Sequence, residues 1–401
     1  MQTTIVEKTC PHRKKCGGCQ LQNMTYPEQL SFKQGKVIKL LGKFHRVSNI
    51  IGMEYPYHYR NKVQWAFGTT RGGKLISGIF QSSSHRIVAV DACLLEDTVA
   101  DDIIVSIRKM LPSFKLSAYN EDTRRGFLRH VLVKRGLKSG EVMVVLVGGT
   151  PLFPRKKDFV KVLLQKHPEI TTIIFNINDR KTSLVLGERQ EVLYGSGKIT
   201  EELLGCRFRI SPKSFYQINP LQTEVLYSKA LAFADLKPTD TLLDAYCGIG
   251  TIGLIAANKV KQVIGVELNQ DAVRDARENA RLNAIQNAAF YCADAGEFML
   301  RRKAEGQAAD VVIMDPPRAG ASKQFLHCLI QAAPERVVYI SCNPETQRRD
   351  LFYLVKNGYK VKKIQPVDMF PHTEHVECVV LMSRVTDWQA LKGLKTSGLP
   401  I

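Results

Sequence analysis

The sequence lacks features that define several large protein classes. No run of 18 apolar residues occurs among its 401 positions, which argues against a membrane-spanning helix. The opening MQTTIVEKT lacks the apolar core of a secretory signal, and no internal repeat or low-complexity segment follows. The composition, 44% hydrophobic and 24% charged, is that of a globular protein long enough for two to three domains. We therefore expect a cytoplasmic protein without a membrane partner.

Acidic residues are the scarcer charged class. The chain has 57 Lys plus Arg against 38 Asp plus Glu, which gives a formal net charge of +19. Residues 1–205 hold 32 basic and 18 acidic side chains, whereas residues 206–401 hold 25 and 20. A concentrated basic excess is typical of proteins that bind a polyanion, although it also aids solubility. Because no amphipathic basic helix suited to a bilayer is evident, we expect the first half to bind an anionic macromolecule.

Cysteine is frequent, with ten residues, but the context does not favour disulfides. In a reducing cytoplasm, thiols of a chain this long more often bind metal or act in catalysis. Cys10, Cys16 and Cys19 fall within ten residues, and Cys93 is the remaining thiol of the first half. Four thiolates suit either zinc or an iron–sulfur cluster. Zinc sites usually consist of two close pairs, so the three-plus-one spacing favours a [4Fe–4S] cluster and leaves zinc open.

The rest of the first half is predicted to be β-rich. Apolar periodicity indicates strands at 62–67, 130–134, 142–147 and 172–177, and helices near 26–41 and 155–167. From about residue 240 the pattern becomes strand, turn, helix, repeated, with buried strands at 241–246, 262–268, 289–293, 310–314 and 336–340. This alternation predicts an α/β domain with a doubly wound, Rossmann-like parallel sheet. We place the boundary between residues 1–205, a β-rich α+β domain, and residues 206–401.

The first strand of the second half leads into a glycine-rich turn. The turn Gly248-Ile-Gly250-Thr-Ile-Gly253 matches the GxGxxG fingerprint, so a nicotinamide-dependent enzyme is one alternative. Asp244 precedes this turn, however, and would repel a pyrophosphate. Glu267 and Asp294 add acids at the next two strand ends. The set favours a cationic ligand with free hydroxyls, such as S-adenosylmethionine, and Gly248 and Gly250 allow its close approach.

Reactive groups follow the fourth and fifth strands. Asp315-Pro-Pro-Arg318 resembles the Asp-Pro-Pro-Tyr of exocyclic-amine methylases, with Arg318 in place of the aromatic residue. Cys342 stands in the turn after the fifth strand, where a thiol is a natural nucleophile. Addition of a thiolate to C6 of uracil would make C5 nucleophilic, and a base must then remove the C5 proton. Glu377, at the start of the last strand, is the candidate base. A structural thiol and a surface acid are the alternative interpretations.

Seven motifs occur together and cover nearly the whole chain. They are Cys10…Cys16-Gly-Gly-Cys19…Cys93, Ser214-Phe-Tyr-Gln217-Ile-Asn219, Leu243-Asp-Ala-Tyr-Cys-Gly-Ile-Gly250, Gly265-Val-Glu267, Asp315-Pro-Pro-Arg-Ala-Gly320, Tyr339-Ile-Ser-Cys-Asn-Pro344 and Phe370-Pro-His-Thr…His375-Val-Glu377. In combination they resemble the RNA uracil-C5 methyltransferases, and among these the iron–sulfur enzymes that modify bacterial 23S rRNA. The resemblance implies S-adenosylmethionine as cofactor, contacted by Gln217, Tyr246, Glu267 and Asp315. The resemblance also implies Cys342 as the nucleophile and Glu377 as the base, in agreement with the chemical argument.

The resemblance also implies a division of labour between the halves. Residues 1–205 would hold the [4Fe–4S] cluster and bind RNA, and residues 206–401 would be the S-adenosylmethionine-dependent methyltransferase domain. The implied reaction is methylation of C5 of a 23S rRNA uridine by a monomer. Three alternatives stay open, namely the same chemistry on a tRNA loop, RNA cytosine-C5 methylation and a non-catalytic iron–sulfur RNA-binding protein.

Overall fold

The chain divides into two compact units. The computed structural model describes residues 8–81, 84 and 86–385. Unit 1 comprises the described residues of Met1–Thr25, Tyr55–Glu202 and Arg209–Pro220. Unit 2 comprises those of Tyr26–Glu54, Leu203–Phe208 and Leu221–Ile401. In this described part of the chain, no helix is long and apolar enough to cross a membrane.

This division differs from a single boundary after residue 205 mainly in two segments: Tyr26–Glu54 belongs to unit 2, and Arg209–Pro220 belongs to unit 1. Helix α1 (Tyr26–Leu41) buries Val37 and Leu41 completely in the core of unit 2. The chain that follows α1 forms two isolated parallel β-bridges with the strand Tyr359–Val367. A segment near the start of the sequence is therefore part of the second unit, because its apolar face is covered there.

Unit 1 is built on a seven-stranded sheet. Its strands are β1 (Lys62–Thr69), β2 (Leu75–Phe80), β3 (Ile87–Ala89), β4 (Leu128–Arg135), β5 (Val142–Gly148), β6 (Ile170–Ile177) and β7 (Arg189–Tyr194). They follow the order β3-β2-β1-β4-β5-β6-β7, antiparallel except for the parallel pair β5–β6. Helix α2 (Thr98–Met110) and helix α3 (Lys156–Lys166), which joins β5 to β6, bury their apolar residues with those of the sheet. The unit is thus a β-rich α+β structure.

Unit 2 contains a second seven-stranded sheet and most of the helices. The elements that follow β7 along the chain are β8 (Ile199–Leu203), β9 (Cys206–Ile210), α4 (Pro220–Ala234), β10 (Thr241–Ala245), α5 (Thr251–Ala256), β11 (Gln262–Glu267), α6 (Gln270–Leu282), β12 (Ala288–Cys292), α7 (Ala295–Ala304), β13 (Val311–Met314), α8 (Lys323–Ala332), β14 (Arg336–Ser341), α9 (Pro344–Lys356), β15 (Tyr359–Val367) and β16 (Glu377–Arg384). Strands β8 and β9 pair only with each other in a small separate sheet.

The large sheet of unit 2 confirms the predicted Rossmann-like parallel arrangement. Its order is β12-β11-β10-β13-β14-β16-β15, and β10 to β14 pair in parallel. Strand β16 runs antiparallel to both β14 and β15. The strand order reverses direction at β10, between β11 and β13. Ligands of such sheets bind at this reversal, outside the carboxyl ends of the strands.

Candidate active site

The carboxyl edge of the unit 2 sheet brings together most of the predicted site residues. Glu267 is the last residue of β11, and Tyr246, Asp315 and Cys342 directly follow β10, β13 and β14. Asp294 lies two residues after β12. Because parallel strands end at a common edge, residues that are distant in the sequence face one crevice.

Glu377 reaches the same edge from the opposite direction. It is the first residue of β16, which is antiparallel to β14. Ser341 pairs with Cys378 in this ladder, so Cys342 and Glu377 are the next residues on their strands. Gln347, on α9, donates its Nε2 hydrogens to carbonyl oxygens of both strands, at 3.1 and 3.2 Å, and ties them together.

The turn that carries Cys342 is held by local hydrogen bonds. The side chain of Asn343 caps α9 by accepting from the backbone N–H of Glu345, at 3.1 Å. Pro344 occupies the first turn of α9, where the missing N–H costs nothing. The hydroxyl of Ser341 accepts from the backbone N–H of Asn343, also at 3.1 Å. The half-buried thiol of Cys342 is thus fixed between a strand end and a capped helix.

Burial and neighbouring acids control the protonation of the reactive groups. Burial, followed by the carboxyl groups of Glu377 and Asp315, raises the pKa of Cys342 to about 11, whereas Arg318 acts in the opposite direction. Glu377 is 4% exposed, and burial together with Asp315 raises its pKa well above the ordinary value. Burial also raises the pKa of Asp315 to about 7. The Cys342 thiol therefore holds its proton at neutral pH, and the charged form of Glu377 is disfavoured.

Asp244 supports the glycine turn from below. Its carboxylate accepts from the backbone N–H of Gly253 at 2.8 Å, and the residue is 1% exposed. Burial is the main reason that its pKa rises to about 7, with Asp315 and Glu267 adding to the effect. The sequence suggested that Asp244 faces the ligand. In the structure one oxygen of Asp244 accepts from the backbone and so positions the turn, and the contact with the cofactor stays a prediction.

The two predicted glycines have different surroundings. A Cβ on Gly248, whose φ is +54°, would meet nothing within 4 Å, so open space lies beside this backbone. A Cβ on Gly250, whose φ is +84°, would lie 2.9 Å from the ring of Phe290. Gly250 is therefore required by internal packing and the left-handed backbone. Gly248 leaves room for a ligand to approach the main chain.

Glu267 and Asp294 are shaped by backbone bonds as well. Glu267 accepts from the backbone N–H groups of Gly248 and Asn269, at 3.2 and 2.9 Å. One oxygen of Asp294 caps α7 by accepting from two backbone N–H groups, at 2.9 and 3.0 Å. Tyr246 has a φ of +63°, and its ring centroid lies 5.2 Å from that of Phe325. These hydrogen bonds orient Glu267 and Asp294, and the ring contact orients Tyr246, so all three candidate cofactor contacts are held in place.

Sequence reasoning missed a buried network that holds the segment before Glu377. The side chains of Lys33, on α1, and Asp368 are both fully buried and form an ion pair of 2.6 Å. Lys33 also donates to the carbonyl of Phe370, at 3.0 Å, and Tyr26 donates its hydroxyl to Asp368, at 3.0 Å. Gln29 accepts from the backbone N–H of His372 at 2.8 Å.

The sequence contained a signal for this network. The buried residues of α1 are Tyr26, Gln29, Lys33, Val37 and Leu41, which form one stripe of the helix. A glutamine and a lysine on a helix stripe that otherwise reads as apolar indicate buried polar partners elsewhere in the chain.

The candidate metal ligands and Gln217 lie in unit 1. Cys10, Cys16, Cys19 and Cys93 are free thiols of intermediate burial. Within the described ranges, no group of three or more His, Cys, Asp or Glu side chains is arranged to hold a metal ion. The structure therefore does not support the iron–sulfur cluster, which stays a prediction. Gln217 lies in the segment Arg209–Pro220 of unit 1, and its cofactor contact likewise stays a prediction.

The thiols of the first unit influence one another's protonation. Burial is the main cause that raises the pKa of Cys19 to about 11, and Cys16 and Cys10 act on it in the same direction. Glu96 raises the pKa values of both Cys16 and Cys93, with burial again the larger cause. Cys16 of the cysteine loop and Cys93 are thus both close enough to Glu96 for its carboxyl group to affect their protonation.

Known proteins are similar to the chain along nearly its whole length. A family model described as tRNA (Uracil-5-)-methyltransferase matches residues 25–385. The chain belongs to this family. An uncharacterized RNA methyltransferase of Clostridium acetobutylicum is 43% identical over 386 residues, covering 94% of this chain and 84% of the relative. Another, from Bacillus cereus, is 42% identical over 381 residues, covering 94% and 83%.

A solved structure adds the cofactor class. The methyltransferase is similar to the Pyrococcus abyssi tRNA (uracil-54, C5)-methyltransferase in complex with S-adenosyl-L-homocysteine. The two share 30% identity with a TM-score of 0.76, over 91% of this chain and 86% of that one. The predicted relationship to uracil-C5 RNA methyltransferases is confirmed, and with it an enzyme that uses S-adenosylmethionine and acts on RNA.

Proposed function

We propose that the methyltransferase methylates C5 of a uridine in 23S rRNA through a covalent bond between Cys342 and C6. Glu377 then removes the C5 proton. The observation that carries this proposal is the opposed placement of the two residues at the end of the β14–β16 ladder. A nucleophile for C6 and a base for C5 must reach adjacent ring atoms, and neighbouring strand positions satisfy that requirement.

Cys342 begins the reaction. C5 of uracil is a poor nucleophile because the ring is electron-poor, and the Cys342 thiolate changes this by forming a bond to C6. The electron pair displaced from the C5–C6 bond makes C5 enolate-like. Bound S-adenosylmethionine supplies an electrophilic methyl group. Once C5 carries that methyl group, Glu377 accepts the C5 proton, the C6–S bond breaks, and the thiolate of Cys342 is regenerated.

The carboxyl edge fits a cationic cofactor. Several acids there, among them Asp315 and Glu377, hold protons more tightly than usual, because burial and mutual repulsion penalise their charged forms. A positive charge beside them would lower these pKa values and relieve the repulsion. Glu267 offers acceptors for ribose hydroxyls, and Gly248 leaves space beside the backbone. We propose that Gln217, Asp244, Tyr246, Gly248, Gly250, Glu267, Asp294 and Asp315 form the cofactor site, Asp244 and Gly250 by shaping the turn.

Two classes of RNA are candidate substrates. The cysteine set, which resembles that of iron–sulfur rRNA enzymes, supports 23S rRNA. The similarity to a Pyrococcus abyssi enzyme named for uracil-54 of tRNA favours a tRNA loop as the second candidate. In either RNA the uridine must leave its stack to reach a thiol in a protein crevice.

An RNA substituted with 5-fluorouridine tests the mechanism. Fluorine at C5 cannot be removed as a proton, so the enzyme should stall as a covalent protein–RNA adduct when S-adenosylmethionine is present. We expect an adduct with the wild type and none with Cys342→Ala. The matched control is Cys292→Ala, which alters an exposed thiol of the same unit. An adduct with tRNA but not with 23S rRNA would make tRNA the substrate and keep the mechanism. No adduct with either RNA would refute the mechanism.

We also propose that Cys10, Cys16, Cys19 and Cys93 hold a [4Fe–4S] cluster that orders the RNA-binding unit. The support is a set of four partly buried thiols in one unit, three of them in a short loop. Anaerobic purification should yield iron and acid-labile sulfide in equal amounts, and Cys93→Ala should lose both while Cys292→Ala keeps them. Stoichiometric zinc without sulfide would contradict the cluster and favour the zinc alternative.

A further inference from the structure

Two stretches of the chain contain no acidic residue. Residues 29–53 and 351–367 together hold nine Lys and Arg and no Asp or Glu, so they carry nearly half of the net charge of +19. Both stretches belong to unit 2. The other described residues of that unit contain 21 acidic and 17 basic side chains. The positive charge of the catalytic unit is therefore concentrated in these stretches.

The two stretches are neighbours in the fold. Helix α1 packs against α9 and β15, and the chain after α1 forms β-bridges with β15. One of the nine cations, Lys33, is buried in an ion pair with Asp368 and is therefore not available to a ligand. The lysines on β15 have a separate explanation, since lysine commonly protects an edge strand from pairing with other chains. The cations on the two helices remain to be explained.

These cations, together with Arg348 just before the second stretch, form two rows that meet. Lys36, Lys39 and Lys43 are spaced i, i+3 and i+7 along α1 and just beyond it, which places them on one face. On α9, Arg348 and Lys356 lie four residues before and after Phe352. The rows join where the ring centroids of Phe44 and Phe352 are 4.9 Å apart.

The junction of the rows crowds two cations over one ring. The Nζ of Lys43 is 3.7 Å from the Phe352 centroid, and the Arg348 guanidinium carbon is 5.7 Å from it. Partial desolvation and repulsion by Arg348 lower the pKa of Lys43. Among the described residues, neither cation forms an ion pair. A surface that holds unpaired positive charge in place on aromatic rings is suited to a polyanion.

We propose that this α1–α9 basic surface, defined by Lys36, Lys39, Lys43, Arg46, Arg348 and Lys356, binds the phosphate backbone of the RNA substrate. The inference deepens the proposed function and rests on it, because it assumes that the catalytic unit grips the RNA that it methylates. Phosphate contacts position a nucleic acid without reading its sequence. The surface therefore supplies affinity and orientation, and the choice of uridine is made elsewhere.

The triple variant Lys39→Gln, Lys43→Gln, Arg348→Gln tests the surface. Binding of unmodified 23S rRNA and tRNA transcripts is measured by fluorescence anisotropy over a range of salt concentrations, which requires no turnover. Log K falls as log salt rises, and each lost phosphate contact makes this slope shallower by about 0.7–0.9. For the triple variant we therefore expect a slope that is smaller in magnitude by about two. The KM for RNA should rise accordingly, with kcat and the affinity for S-adenosylhomocysteine unchanged.

Matched variants separate this proposal from its rivals. Lys237→Gln, Lys259→Gln, Lys261→Gln removes three exposed charges that lie shortly before β10 and β11, outside the basic surface, and should leave the slope unchanged. Lys39→Arg, Lys43→Arg, Arg348→Lys keeps the charge and should keep the binding. Equal slopes for the wild type and the first triple variant would refute the proposal that the α1–α9 basic surface binds RNA. A wild type that binds RNA with the expected slope difference but transfers no methyl group would instead contradict the proposed function.

Discussion

Cys342 and Glu377 take opposed positions on two antiparallel strands. The ladder between β14 and β16 ends with Ser341 opposite Cys378, and one further step along each strand reaches the two residues. Opposed residues of an antiparallel pair project to the same side of the sheet. This relationship brings a thiol and a carboxyl group to one point of the carboxyl edge, although 35 residues separate them in the sequence.

Glu377→Gln should stop the reaction after methyl transfer. The amide cannot accept the C5 proton, so we expect a covalent complex to accumulate on ordinary uridine RNA in the presence of S-adenosylmethionine. Turnover should fall by about 10²–10⁴-fold, the usual contribution of a general base. Gel electrophoresis of denatured protein–RNA complexes measures the adduct. Cys342→Ala, Glu377→Gln is the control and should form none, and normal turnover by Glu377→Gln would show that another group removes the proton.

The reactivity of Cys342 should depend steeply on pH in the cofactor-free protein. Since its pKa is raised to about 11, the thiolate fraction grows about tenfold for each pH unit between 7 and 10. Alkylation by iodoacetamide, followed by peptide mapping, measures this rate. Glu377→Gln removes a group that raises the pKa, so alkylation at pH 9.5 should accelerate. Arg318→Gln removes a group that lowers it and should slow the reaction. Equal rates for both variants would contradict the assigned electrostatics.

The sequence was sufficient to predict the core of unit 2 and the sheet edge at which most of its candidate site residues lie. Parallel strands such as β11 and β13 are covered on both faces, so they read as continuous apolar runs with clear ends. The residues that follow these runs share one edge for topological reasons, and Glu267, Asp315 and Cys342 are found there. Their proximity could therefore be predicted without any knowledge of side-chain packing.

The partners of individual side chains could not be predicted in this way. Periodicity shows that one face of α1 is buried, but not which sheet covers it, and the single boundary after residue 205 therefore misplaced the helix. The spacing of Gly248 and Gly250 did not reveal that one borders open space while the other packs against Phe290. Asp244 could equally have faced a ligand or the backbone. Such choices depend on packing between distant elements, which local sequence does not encode.

Asp244→Ala and Glu267→Gln should separate turn support from cofactor contact. Loss of the acceptor for the Gly253 N–H leaves a buried donor unsatisfied, so Asp244→Ala should lower the free energy of unfolding by about 1–3 kcal/mol and also weaken cofactor binding. Glu267→Gln keeps one acceptor oxygen for the backbone. It should weaken binding of S-adenosylhomocysteine about tenfold with little change in stability. Urea unfolding and titration calorimetry measure the two quantities, and equal stability losses would contradict this division.

The buried pair Lys33–Asp368 provides the final prediction. Removing one partner of such a pair usually costs about 3–5 kcal/mol, because the other charge is left uncompensated. Lys33→Met should therefore be strongly destabilising in urea unfolding. The double variant Lys33→Met, Asp368→Asn removes that charge. Tyr26 and the backbone N–H of Phe370 donate to different oxygens of Asp368, so the amide oxygen can keep one of these two hydrogen bonds. We expect it to recover part of the loss, so the two single effects should not be additive.

The pH dependence of stability shows whether Lys33→Met destabilises the protein through charge or through packing. Burial already raises the pKa of Asp368 in the folded protein, and Lys33 counteracts this rise. Without Lys33 the folded-state pKa lies still further above that of the unfolded chain. A carboxyl group with a raised folded-state pKa stabilises the fold below its unfolded-state pKa and loses this contribution as the pH rises through the folded-state value. Relative to wild type, Lys33→Met should thus be more stable at pH 5 than at pH 8. The double variant should lack this trend, and a loss independent of pH would mean that Lys33 acts by packing rather than by charge.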